Sequence, residues 1–148
     1  MSLTLLSTAY LPPIQYFSKL KKYKEVSIEY HEHFPKQTYR SRCHIYGANG
    51  ILKLSVPIIH SGERTSIKDI NISYSDNWQK LHWKSIESAY RCSPYFEFYE
   101  SEFAPFYSEK KFEKLIDLNN ELTQLLLKLL KLDIKLIPTS EYFKEITL

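Results

Sequence analysis

The chain has 148 residues, of which 43% are hydrophobic and 25% are charged, and this balance predicts one globular domain. Its net charge of +3 is small and the two signs are interleaved along the sequence, which argues against a nucleic-acid-binding protein. With only three glycines, the chain contains neither a dinucleotide-binding fingerprint nor a P-loop.

The N-terminal part predicts a βαβ unit. An apolar run at residues 3–7 is typical of a buried strand, and Pro12 and Pro13 end it before a helix that begins near Ile14. Residues 25–30 then alternate between polar and apolar side chains, as in a second strand parallel to the first. Because ligands of such sheets gather at the carboxyl ends of the strands, we expect a binding site near the turn at 10–15 and after Tyr30.

The middle of the chain predicts a β-hairpin followed by helices. Two strand-like segments at 42–46 and 51–56 flank an Asn-Gly pair, which favours a tight turn. A further strand is expected at 68–74, a helix from Trp78 after the capping residues 75–77, and a long leucine-rich helix from Ser108 to about Leu132. The predicted fold class is therefore α/β (α+β), with a mixed sheet, an N-terminal βαβ unit, a hairpin near 42–56 and a helical C-terminal half, in a single domain over 1–148.

Neither a targeting segment nor a metal site is indicated. The N-terminus lacks the basic and long apolar regions of a signal peptide, and the most apolar tract, 122–138, is interrupted by four charged residues and is not expected to cross a membrane. Cys43 and Cys92 have no spacing typical of zinc ligands or a disulfide framework. We therefore expect a cytoplasmic protein that needs no metal ion or cofactor.

Several side chains could carry chemistry, each with a simpler structural alternative. His31 and His33 could bind a metal together with His44, although surface or hydrogen-bonded histidines are favoured. Cys43 could act as a nucleophile with His44 or His82 as its base, although a buried, inert thiol is favoured. Trp78 and Trp83 could form a platform for a sugar or base beside His82, although aromatic core packing is again favoured.

The segment 36–42 is the more specific signal. In an extended conformation Lys36, Arg40 and Arg42 would point to one face, where their positive charges would suit a phosphate or a carboxylate. The alternative is a solvated strand face. Since the segment follows the second strand of the βαβ unit, the first interpretation places it at the expected ligand-binding edge.

A set of motifs resembles the WbqC-like protein family over residues 4–130. The motifs are YLPPIQYF at 10–17, EYHEHFPKQTYRSRC at 29–43, GANG at 47–50, LKLSVP at 52–57, IKDI at 67–70, WQKLHWKSIESAY at 78–90 and SPYFE at 93–97. The family usually has Asn-Arg where this chain has Ser41-Arg42, and its members tend to continue beyond the position of residue 148, so the chain is expected to be C-terminally shortened. The resemblance implies a role in bacterial surface-polysaccharide biosynthesis, such as that of O-antigen.

The residues and the resemblance together suggest a transferase-type enzyme that binds a nucleotide-linked amino sugar or its acyl donor. Lys36, Arg40 and Arg42 are the candidates for binding phosphates. Gln15 and Tyr16 are the candidates for contacting the base or sugar, and His82 is the candidate general base.

Two other functions stay open. The chain could be a non-catalytic accessory subunit of a polysaccharide-synthesising complex, docking or forming a homo-oligomer through the leucine-rich helix at 112–136. It could also be a nucleotidyltransferase-like half-Rossmann unit that places residues 12–16 against a nucleotide, an analogy at the level of the fold.

Overall fold

The computed structural model describes residues 4–23, 25–35, 38–59, 65–94, 96–109 and 111–140. The strands are β1 (Leu5–Ser7), β2 (Glu25–Glu29), β3 (Arg42–Gly47), β4 (Gly50–Ser55) and β5 (Lys135–Pro138). The helices are α1 (Ile14–Lys22), α2 (Trp78–Tyr90), α3 (Phe96–Phe103), α4 (Pro105–Ser108) and α5 (Leu115–Leu129), with a 3₁₀ turn at Ile67–Asp69. The mixed α/β class predicted from the sequence is confirmed.

A three-stranded parallel sheet in the order β1-β2-β5 forms one part of the fold. Ser7 pairs with Glu29 across β1 and β2, and α1 connects these two strands, which confirms the predicted βαβ unit. The central strand β2 buries Val26 and Ile28. The third strand, β5, pairs with β2 in the parallel direction and was not predicted, because its residues continue the apolar pattern of the preceding helix.

The predicted hairpin is β3–β4, with Gly47 opposite Gly50 and a two-residue turn at Ala48 and Asn49. It forms a sheet of its own, so the predicted mixed sheet is divided into one parallel and one antiparallel sheet. The hairpin packs through Cys43, Leu54 and neighbouring apolar residues into the same core as Trp78 of α2. Burial of one hairpin face against α2 thus takes the place of pairing with the parallel strands.

Substituting Gly50 by alanine should weaken this hairpin. Gly50 has a φ of +114°, a backbone conformation that residues with a Cβ atom rarely adopt. We expect Gly50→Ala to lower the free energy of unfolding by about 1–3 kcal/mol in urea titrations. The exposed neighbour Asn49 has no positive φ, so Asn49→Ala should change stability by less than about 0.5 kcal/mol. Equal stability of Gly50→Ala and the unmodified chain would contradict this.

Two sequence-based predictions need correction. The strand expected at 68–74 is the 3₁₀ turn followed by isolated bridges, in which Ile72 pairs with Ile58 and Asn71 with Lys114. The second of these bridges holds Lys114 in an extended conformation, and α5 therefore begins at Leu115 instead of Ser108. The segment 112–136 is consequently not one helix, since it contains α5 and the start of β5.

The apolar core is divided into two clusters that α5 connects. Leu115, Leu118 and Leu122 of α5 pack with residues of the hairpin, α2 and α4, whereas Leu127 packs with α1 and β2. These four leucines are each 2% exposed or less. Most of the leucine-rich helix therefore faces the interior. None of the helices in the described part of the chain is long and apolar enough to cross a membrane.

Candidate functional site

The carboxyl ends of the parallel strands carry a network of buried polar groups. Glu29, the last residue of β2, is only 4% exposed, and its Oε1 accepts hydrogen bonds from the His31 backbone N–H (2.8 Å) and the Thr139 hydroxyl (3.2 Å). Thr139 Oγ1 accepts a hydrogen bond from the Tyr30 N–H (3.0 Å), and His31 Nε2 donates to the Thr139 carbonyl (3.0 Å). These bonds fix the loop after β2 against the end of β5.

Asn119 of α5 joins this edge to the turn at 38–41. Its side chain is fully buried, and Nδ2 donates to Thr8 Oγ1 (3.2 Å), just after β1, and to the Arg40 carbonyl (2.7 Å). The Arg40 guanidinium forms an ion pair with Glu32, in which Nη2 lies 3.0 Å from Oε2. The turn is therefore held from two sides, by α5 and by the loop after β2.

An apolar cavity of about 490 Å³ opens beyond the end of β1. Its wall comes from the turn before α1, the 38–41 turn, β3 and the helices α1, α2, α3 and α5. The lining residues are Leu11, Pro12, Pro13, Phe17, Tyr39, Cys43, His44, Ile45, Ile86, Tyr90, Ser93, Phe96, Tyr99, Phe103 and Leu126. This lining contains no Asp, Glu, Lys or Arg among the described residues, and its polar side chains are those of Tyr39, Cys43, His44, Tyr90, Ser93 and Tyr99.

A chain of buried hydrogen bonds supports the cavity at Leu11. Leu11 has a φ of 44°, a strained conformation for a residue other than glycine. The preceding residue, Tyr10, is 1% exposed, and its hydroxyl lies 2.8 Å from His82 Nδ1 and 2.8 Å from the Tyr107 hydroxyl. His82 Nε2 donates to the Ser55 carbonyl (3.0 Å), so Nδ1 is the unprotonated nitrogen and accepts the Tyr10 proton.

Burial determines the protonation states of these groups. It lowers the pKa of His82 to about 4, an effect that the hydrogen bond to Ser55 only partly opposes, and it raises the pKa of Tyr10 and Tyr107 above the usual range. Burial also raises the pKa of Cys43 to about 12. The histidine is thus neutral and Cys43 is a thiol at neutral pH, which agrees with the inert thiol favoured from the sequence.

The structure separates the arginines of the predicted phosphate site. Residues 38–41 form a turn closed by a hydrogen bond from the Ser41 N–H to the Thr38 carbonyl (3.2 Å), so the segment is not extended as expected. Arg40 consequently points to Glu32, whereas Arg42 Nε donates to Ser55 Oγ (3.1 Å) at the hairpin. Lys36 lies outside the described residues. The phosphate-binding roles of these three residues stay predictions.

The remaining predicted site residues also lie away from the cavity wall. Gln15 is exposed in the first turn of α1, and the Tyr16 hydroxyl donates to the Ser7 carbonyl (2.7 Å). His82 is 2% exposed and has a protein partner at each ring nitrogen. Neither these three residues nor Arg40 and Arg42 belong to the cavity lining, and their proposed contacts with substrate stay predictions.

Sequence reasoning missed both the aromatic wall and the polar edge. Tyr99 and Phe103 of α3 line the cavity, but neither is among the site residues predicted from the sequence. The alternating pattern of β2 and the rule for carboxyl ends do indicate the importance of the residues after β2. Thr139 was not identifiable, because β5 itself was missed.

Comparisons with known proteins bear on the identity of the chain. The WbqC-like protein family matches residues 8–147. A relative described as the uncharacterized protein Rv1507c, from Mycobacterium tuberculosis (strain ATCC 25618 / H37Rv), is 26% identical over 134 residues, which are 90% of this chain and 58% of the relative. The chain thus spans less than two thirds of the length of that relative. No solved structure matches the chain. By the near-complete family match, the chain belongs to the WbqC-like protein family.

Proposed function

We propose that the protein is a transferase-type enzyme of bacterial surface-polysaccharide biosynthesis that acts on a nucleotide-linked amino sugar or its acyl donor, and that the cavity receives the acyl chain. The observation that carries this proposal is the apolar cavity beyond the carboxyl end of β1, six of whose fifteen lining residues are Phe or Tyr. Its position agrees with the general location of ligands in parallel α/β sheets.

The size and lining of the cavity favour an acyl chain over a nucleotide or a sugar. A volume of about 490 Å³ is within the range of small-molecule sites. A diphosphate placed inside would lose its hydration without gaining a lysine or arginine partner from the lining, whereas an acyl chain would exchange water for apolar contacts. Tyr39, Tyr90 and Ser93 line the cavity, and we expect their hydroxyl groups to bind the polar carbonyl end of such a chain.

Arg42 is the arginine that we expect to bind the phosphates of the donor or of the nucleotide sugar. It lies two residues before His44 on β3, so the two side chains share one face of the strand, and His44 lines the cavity. Arg40 has less freedom for this role because Glu32 already occupies its guanidinium group. A phosphate at Arg42 would lie outside the apolar wall, in agreement with the absence of cations among the described lining residues.

The accessory-subunit alternative has less support. It requires apolar surface on the leucine-rich helix, but most leucines of α5 pack into the two core clusters. Leu130, which follows the helix, is exposed, and one side chain is too little for a stable docking face.

Tyr99→Ala should weaken acyl binding in isothermal titration. Tyr99 lines the cavity and is 39% exposed, whereas its neighbour Phe98 is 74% exposed and lies outside the lining. We expect octanoyl-CoA to bind the unmodified chain, CoA to bind more weakly, and Tyr99→Ala to bind octanoyl-CoA about tenfold more weakly through lost apolar contact. The matched variant Phe98→Ala should retain the original affinity.

Two results would oppose the proposal. Equal affinities for CoA and octanoyl-CoA would show that the acyl chain does not enter the cavity. Equal effects of Tyr99→Ala and Phe98→Ala would show that the contact is not specific to the cavity wall. In the same titrations, an unchanged affinity of Arg42→Ala for nucleotide sugars and for CoA would remove Arg42 from phosphate binding.

A further inference from the structure

His31 combines an oriented ring with an available nitrogen. Because Nε2 donates its proton to the Thr139 carbonyl at 3.0 Å, the neutral ring carries its lone pair at Nδ1. No described residue forms a hydrogen bond with Nδ1. The His31 side chain is half-buried, whereas His82 is buried at 2% exposed.

The protein holds this ring at the carboxyl edge of the parallel sheet. The His31 backbone N–H donates to the buried carboxylate of Glu29, and the Thr139 hydroxyl donates to the same oxygen. Both ends of the His31 residue, its backbone and its Nε2, are thus tied to the ends of β2 and β5. A ring nitrogen that is held in one orientation by a hydrogen bond at the other nitrogen is typical of general bases in enzymes.

The other described histidines lack this combination. His82 uses Nε2 for the Ser55 carbonyl and Nδ1 for the Tyr10 hydroxyl, so neither nitrogen is open to a substrate. His33 and His44 are exposed, and the interaction of the His44 ring is an edge contact with Tyr39.

One ion pair links the residue after His31 to the turn that borders the cavity. Glu32, the next residue after His31, pairs with Arg40, and Arg40 follows Tyr39, which lines the cavity. A substrate bound at the carboxyl edge would therefore lie beside the turn that borders the acyl site. Among the described residues, the charged groups near His31 are Glu29, which accepts its backbone N–H, and the ion-paired Glu32 and Arg40.

We propose that His31 Nδ1 is the general base for the acceptor, a nucleotide-linked amino sugar with a free amine; this rests on the proposed function. The amine nitrogen attacks the carbonyl carbon of an acyl thioester, and a C–N bond forms as the C–S bond breaks. His31 Nδ1 takes the proton from the nitrogen and returns it to the departing sulfur. The products are the N-acylated sugar and the free thiol.

The substitution His31→Gln tests this role, because the glutamine amide can still donate to the Thr139 carbonyl but has no basic nitrogen. With octanoyl-CoA and UDP-linked amino sugars as substrates, we expect kcat to fall by at least about 100-fold while the affinity for octanoyl-CoA is unchanged. The matched variant His33→Gln, two residues along the chain and exposed, should keep full turnover. Turnover within a few-fold of the unmodified enzyme in His31→Gln would overturn the proposal.

A second measurement separates this proposal from the proposed function. Nitrogen-15 NMR of the full chain at neutral pH should show His31 protonated at Nε2, and a UDP-linked amino sugar should shift its Nδ1 signal. Protonation at Nδ1, or an Nδ1 signal that saturating amino sugar leaves unchanged, would overturn the role of His31. If the unmodified chain acylates none of the sugars, the transferase function fails, and the NMR result still decides whether His31 faces the ligand.

Discussion

Asn119→Asp is expected to lower the free energy of unfolding by about 3–5 kcal/mol at pH 7, because it places an uncompensated charge in the interior. Asn119 is fully buried, and its Nδ2 supplies donors to Thr8 and to the Arg40 carbonyl. An aspartate removes both donors and turns an oxygen towards the Arg40 carbonyl. Its other oxygen would replace Oδ1, which has no hydrogen-bond partner among the described residues.

The neighbouring substitution Asn120→Asp is the matched control. Asn120 is half-buried, and its amide donates to the Tyr30 hydroxyl, which can donate in return to a carboxylate. We expect a loss of about 1 kcal/mol or less in urea titrations at pH 7. Since protonation of the buried carboxyl removes its charge, the deficit of Asn119→Asp should also shrink in acid. Similar losses of unfolding free energy in the two variants would contradict the conclusion that the Asn119 hydrogen bonds hold the 38–41 turn in place.

Acidification is expected to destabilise the fold through His82. Burial lowers its pKa from 6.5 to about 4, so between these values the unfolded chain binds a proton that the folded chain does not. Stability therefore falls as the pH decreases from 6.5 to about 4, and below that range His82 contributes no further loss. The shift corresponds to about 3 kcal/mol of unfolding free energy.

Comparison with His82→Asn isolates this contribution from that of the carboxylates that titrate in the same range. The asparagine does not titrate, so the variant should be less stable than the unmodified chain at pH 7 but should lose less stability on acidification. The stability difference between the two proteins should therefore narrow by about 3 kcal/mol between pH 6.5 and pH 4, as measured by urea unfolding. A constant difference across that range would show that His82 does not titrate in this way.

The elements with strong local signals were predictable from the sequence. Pro12 and Pro13 separate β1 from α1, and the alternation around Val26 and Ile28 indicates β2. The Asn-Gly pair identifies the hairpin turn, although the positive φ falls at Gly50 and not at Asn49. In each case residues close in sequence determine the conformation.

Elements that depend on distant partners were not predictable. Lys135–Pro138 is a strand because it pairs with β2, more than a hundred residues earlier, while its own composition continues the pattern of α5. Lys131, with a φ of 59°, breaks the helix without a glycine or proline signal. Local sequence patterns carry little information about either feature.

The sequence indicated the location of the candidate site better than it indicated the residues that line it. The ends of β1 and β2 are bordered by the cavity and the polar network, as the βαβ pattern suggested. Arg40 and Arg42 do not point to one face as predicted, because the interactions of Arg40 with Glu32 and Asn119 hold residues 38–41 as a turn. Such long-range interactions became visible only in the folded chain.

A crystal structure of the protein with octanoyl-CoA is the most direct test of the proposed acyl site. We predict that the acyl chain lies in the apolar cavity between Pro13, Tyr39 and Phe103, with its thioester towards the 38–41 turn. An acyl chain bound elsewhere on the protein, with this cavity empty, would contradict the proposed function.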